Sequence, residues 1–194
     1  AVMRVWPVTL SIAIAFAAPL GAQRARHDPA DDLAPVEAAL RSGHYWHATE
    51  LLGPLLNQSD HRPAVAIAAA RAAAGWEGWQ TVRRLLNTQP WIDSRFDRVG
   101  RLLLAEAALG LGQPNEAVRQ ANLSLDPTLL PRTDANEARR WIVLARAREQ
   151  LHDWDDAADG YTQAAAHLPA ISDWLALRAA GVSSDSATRQ RLYS

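Results

Sequence analysis

The sequence predicts an all-α protein assembled from antiparallel helix pairs in tandem, on three observations. First, a short turn recurs: Gly43-His44-Tyr45-Trp46-His47-Ala48, followed by Leu51 and Leu52, returns 34 residues on as Trp79, Val82, Leu85 and Leu86. It comes again at Gly112-Gln113-Pro114-Asn115-Glu116-Ala117, 35 residues past Val82, and at Trp154 to Ala157, 40 residues past Ala117. Second, small residues recur at matching places, Val36, Ala70, Ala105 and Ala145 before the turn and Ala48, Val82, Ala117 and Ala157 after it. Two antiparallel helices approach closely only where such residues replace bulky ones. Third, the chain is rich in Ala and Leu, has few β-branched runs and shows no alternating strand pattern, so helix is favoured throughout.

The elements follow in order. Helices are expected at 33–42 and 46–58 around the Gly43 turn, at 63–76 and 78–87 around the second turn, and at 96–111 and 114–124 around Gly112. Pro114 stands where Tyr45, Trp79 and Trp154 stand elsewhere, and its fixed φ suits the first turn of a helix. The aromatic residues are expected to wedge between neighbouring helices, each contributing on the order of 2–3 kcal/mol of apolar burial. The stretch Asp126-Pro127-Thr128-Leu129-Leu130-Pro131 favours a longer connection, which accounts for the 40-residue spacing. Helices at 134–151 and 154–167 complete a fourth pair, closed by Pro169, and a helix at 171–181 trails it. A last helix is expected from Ser184, whose hydroxyl can cap the amides ahead of Ala187 to Leu192. The final apolar face is left without a polar closing helix, so residues 170–194 read as linking helices cut short.

Residues 1–22 read as an export signal. Arg4 supplies a basic start, Val8 to Ala18 an apolar run, and Leu20-Gly21-Ala22 small residues for cleavage before Gln23. As a helix that run spans about 16 Å, roughly half the hydrocarbon core of a bilayer, so a membrane anchor is not expected. Met3 is read as the start residue, residues 23–32 as a flexible lead-in and 33–169 as the repeats. The implied location is a bacterial periplasm, with no stable membrane insertion after cleavage. A net charge of −1 gives no drive toward nucleic acid or anionic lipid. Cysteine is absent, which excludes disulfides, thiolate metal sites, a cysteine nucleophile and a lipidated N-terminal Cys.

The run Trp141-Ile142-Val143-Leu144-Ala145, with Trp154, Ala157, Tyr161, Ala164 and Pro169, resembles the tetratricopeptide repeat, with His152 in place of the usual turn Gly. The resemblance implies a right-handed superhelical array, an α-solenoid of about four repeats plus trailing helices. A second run, Asp173-Trp174-Leu175-Ala176-Leu177-Arg178-Ala179-Ala180, resembles the linking helix in the N-terminal superhelical region of soluble lytic transglycosylases, which Gly75-Trp76-Glu77-Gly78-Trp79 also resembles. Members of that family cleave peptidoglycan through a separate C-terminal catalytic domain.

The chemistry of that family is missing here. Glycan cleavage needs a Glu held as general acid, usually in a Glu-Ser pair, and none of Glu37, Glu50, Glu77, Glu106, Glu116, Glu137 or Glu149 is followed by Ser. No catalytic residue, cofactor or metal is expected. His44 and His47 lie three apart but lack a third ligand nearby, whereas His27, His61, His152 and His167 are isolated. Asp153, Asp155, Asp156 and Asp159 lack the central Gly and closing Glu of a calcium loop and suit the positive end of a helix dipole. In tetratricopeptide arrays the residue after each small packing residue points into a concave face. Here that implies Glu37, Arg71, Glu106 and Arg146, joined by Arg139 and Glu149. Such a surface is either a solvated charged face or a groove for a protein or peptide, with peptidoglycan or a C-terminal catalytic domain as other occupants. The expected function is a non-catalytic interaction scaffold in the cell envelope. The alternative, from the enzyme class, is the helical front portion of a lytic transglycosylase whose active domain lies beyond Ser194.

Overall fold

The computed structural model describes residues 33–57, 62–125 and 134–183. The segments read as an export signal and a lead-in, His61, the expected 126–131 connection and the helix expected from Ser184 lie outside the described residues. Among the described residues the fold is all-helical, in the order α1 (Ala34–Arg41), α2 (Tyr45–Leu56), α3 (Pro63–Gly75), α4 (Trp79–Leu86), α5 (Val99–Gly110), α6 (Pro114–Leu125), α7 (Asp134–Gln150), α8 (Trp154–His167) and α9 (Ser172–Val182). Single 3-10 turns stand at Phe96–Arg98 and Pro169–Ile171. Pro63 and Pro114 each open a helix, where a missing N–H costs nothing.

Each helix packs on the next, and α1 also touches α3, α3 touches α5 and α5 touches α7. The small residues make this possible. Val36, Ala70, Ala105, Ala145, Ala48, Val82, Ala117 and Ala157 are all at most 1% exposed. A larger side chain at any of them would push two backbones apart. The apolar core accordingly divides into four successive clusters, the first on α1, α2 and α3, the second on α3, α4 and α5, the third on α5, α6 and α7, the fourth on α7, α8 and α9.

The four turns between paired helices share one backbone. A left-handed residue ends the first helix each time: Gly43 (φ 73°), Glu77 (φ 60°), Gly112 (φ 68°) and His152 (φ 64°). Around each, two amides reach back to the free carbonyls of the helix end. In the first turn Gly43 donates to Leu40 at 3.2 Å and His44 to Ala39 at 2.9 Å; in the fourth, His152 donates to Glu149 at 3.1 Å and Asp153 to Arg148 at 3.0 Å. Gly78, adjacent in the second turn, keeps a negative φ, so the strained position there falls on Glu77.

Two expectations need correction. The helix expected to begin at residue 96 begins at Val99, because Phe96, Asp97 and Arg98 all take positive φ, at 54°, 48° and 53°. Distant side chains hold this turn against local preference. Arg140 of α7, fully buried, donates to the Asp97 carbonyl and, at 3.1 Å, to its Oδ2; Arg98 Nη1 donates to the Leu123 carbonyl at 2.9 Å. Of the turn aromatics, Trp79 packs partly buried against the second cluster, but Tyr45 and Trp154 are not wedged between helices and stand 37% and 39% exposed. Tyr45 instead lies across Gly75, where an added Cβ would come within 2.1 Å of its ring, and Trp79 lies across Gly110, with a corresponding 2.3 Å. Where Pro114 replaces the aromatic residue, Gln150 replaces the matching glycine.

Candidate functional site

An open groove of about 470 Å³ runs along α3, α5 and α7. Tyr45, Gly75, Trp79 and Gly110 form part of its wall, so the rings seated on glycines shape it. Helical rotation of about 100° per residue explains the charges, since a residue following a fully buried Ala falls at the edge of the packed face. Arg71, Glu106, Arg139 and Arg146 line the groove. Glu37 stands behind Arg71, whose Nη1 donates to both of its carboxylate oxygens at 3.0 and 2.9 Å. Arg139 Nε and Nη2 grip Glu106 at 2.5 and 2.7 Å in a two-point pair.

Glu149 lies one step further, in a recess of about 510 Å³ formed by α7, the start of α8 and α9. It accepts from Arg178 Nη2 and, at 2.8 Å, from the Tyr161 hydroxyl. Burial first, then the hydrogen bond to Glu149, raises the Tyr161 phenol above its ordinary value, so it stays a donor. The hydrogen bond to Glu149 likewise raises Arg178. Ile142 and Arg146 line both groove and recess and join them.

Five of the six candidate residues line the groove or the recess, with Glu37 held behind Arg71, and most of the six are paired. Glu37 with Arg71, Glu106 with Arg139, and Glu149 with Arg178 each link one alternate helix to the next, α1 to α3, α5 to α7 and α7 to α9. Arg146 differs: it is exposed and makes no hydrogen bond or ion pair with any described residue. Sequence reasoning missed Arg178 as a partner of Glu149 and missed Trp174, 60% exposed, as part of the recess. Arg178 was visible only as a letter of the Asp-Trp-Leu run. The buried Arg98 and Arg140 gave no signal in sequence at all.

The remaining candidates have local explanations. His47 meets Glu50 at 3.4 Å on an exposed helix face, and His152 is the left-handed turn residue, its ring edge-on to Trp154 at 5.0 Å. Asp153 and Asp156 at the start of α8 pair with Arg148 at 3.1 and 2.9 Å. No group of three or more His, Cys, Asp or Glu side chains gathers as a metal set among the described residues. No helix among them is long and apolar enough to cross a membrane. Comparison of the chain with protein-family models, curated proteins and solved structures gives no match.

Proposed function

We propose that this chain is an exported, non-catalytic helical-repeat scaffold of tetratricopeptide type. Its helix pairs form a right-handed superhelical array, and it works in the cell envelope by holding a protein or peptide partner along the groove of α3, α5 and α7. The observation that carries this reading is the fourfold recurrence of one turn, with its left-handed residue at Gly43, Glu77, Gly112 and His152, beside a groove that crosses successive repeats. A surface that spans repeats suits an extended ligand better than a compact one.

The test is photo-crosslinking from Ile142, placed between groove and recess, in the chain expressed in its native host. The expected result is a discrete protein adduct in the envelope fraction that is lost when Arg71→Glu and Arg146→Glu are combined. An adduct that persists in the double variant, or none at all, rejects the reading.

The transglycosylase alternative draws on α9, which carries the Asp-Trp-Leu run. Leu175, Ala179 and Ala180 of that run are fully buried, so packing against α8 explains them without catalysis. The chain is expected to release no anhydro-muropeptides from purified peptidoglycan. Measurable release would overturn its non-catalytic assignment.

A further inference from the structure

Charge along the groove and recess is matched residue by residue with one exception. Each of Glu37, Glu106 and Glu149 faces an arginine of the next alternate helix. Arg146 is left over, a guanidinium open to solvent with no partner among the described residues. It does not stand on an open face: Ile142 lies one helical turn before it, and the recess it enters is walled by Trp154 and Trp174, 39% and 60% exposed.

A free guanidinium has five donors and binds a carboxylate in two-point fashion. Two half-open indoles offer flat apolar area at small cost in side-chain entropy, as the anchoring residues of interfaces do. We infer that Arg146, Trp154 and Trp174 form a specificity pocket for an extended peptide, taking an Asp or Glu side chain on Arg146 and an adjoining bulky apolar side chain against the two indoles. This rests on the groove-binding function proposed above and names the chemistry of its ligand. An acid within the peptide, not its terminal carboxylate, is the fitting group. Arg146 lines both the groove and the recess, so a bound chain continues past it on either side.

The pocket also has a built-in filter. Glu149 also lines it, already satisfied by Arg178 and Tyr161, so a basic side chain entering beside Arg146 meets an acid with no free charge to offer. Acidic peptides are attracted and basic ones gain nothing.

The test is selection of random dodecapeptides displayed on phage with their C-termini fused to the coat protein, so that no free carboxylate is present. The full chain serves as bait. Selected sequences are expected to share an acidic residue within two positions of Leu, Ile, Phe or Trp. A synthetic peptide of the selected sequence should then lose about tenfold or more in Kd on Arg146→Ala, as loss of a charge-assisted pair implies. Trp174→Ala should weaken it comparably, whereas Arg41→Ala on α1 should leave it unchanged. Circular dichroism checks that each variant is folded, and both substituted side chains are exposed. Selected peptides that lack the acid, or that bind Arg146→Ala as well as the wild type, overturn the pocket while leaving groove binding standing. A selection that enriches no peptide overturns both.

Discussion

The four turns allow backbone strain to be measured almost free of packing effects. At Gly112 a Cβ would meet nothing within 4 Å, so Gly112→Ala changes only the conformational energy of a residue at φ 68°. Holding an L side chain in the left-handed region costs about 1–2 kcal/mol. Restricting the unfolded chain by replacing Gly with Ala returns about 0.4–1 kcal/mol, which leaves a net loss of about 1 kcal/mol. Glu77 is the mirror case. It carries the same strain at φ 60° with an exposed side chain, so Glu77→Gly should stabilise by about 1 kcal/mol. In a chain of this size each change moves the melting temperature by about 2–4 °C, in opposite directions. Urea titration followed by far-UV circular dichroism measures both, with an unchanged m-value as the sign that only native stability has moved. If Gly112→Ala proves as stable as the wild type, or Glu77→Gly less stable, the left-handed residue does not define the turn and the fourfold repeat of backbone geometry loses its meaning.

Three further outcomes follow from the packing and the charges. Gly110→Ala would place a methyl 2.3 Å from Trp79 Nε1, forcing the ring off its seat; a loss of about 1–3 kcal/mol in thermal or urea unfolding is expected, and no loss would show that the ring does not rest there. A double-mutant cycle on Glu106→Gln and Arg139→Gln should give a coupling of up to about 1 kcal/mol that shrinks toward zero in about 1 M salt, since Arg139 is half exposed; coupling insensitive to salt would contradict an ion-pair origin. Asp93 is held below its ordinary 3.8, chiefly by the hydrogen bonds from Arg101, and Glu116 below 4.5, chiefly by those from Arg119. Because both folded values are depressed, their contribution is complete above these ordinary values and drains away as pH falls through the lowered ones. Arg101→Ala should therefore be less stable than the wild type at neutral pH, with the gap narrowing as pH falls below 3.8 to what the hydrogen bond to Gln120 contributes; a gap that does not narrow in acid would show that the pair with Asp93 does not stabilise the fold.

What the sequence determined by itself is the local and periodic part of the molecule. Eight small residues at matching offsets mark the close helix approaches, and all eight are buried, because a backbone contact admits few residue types and so leaves a legible pattern. Helix 154–167 has the expected bounds and the other ends lie within a few residues, set by Pro and by the turn residues. Tertiary structure alone decided the rest. Phe96, Asp97 and Arg98 continue a helical pattern in sequence, yet Arg140, some forty positions away, holds the Asp97 backbone in a left-handed turn that no local preference favours. The indole of Trp79 rests on Gly110 of another helix, a seat visible only once α4 and α5 are placed side by side. Nothing in the sequence disclosed how the candidate charges pair, since an ion pair between α7 and α9 depends on side-chain reach across two helices. That reach joins Glu149 to Arg178 and leaves Arg146 without a partner among the described residues.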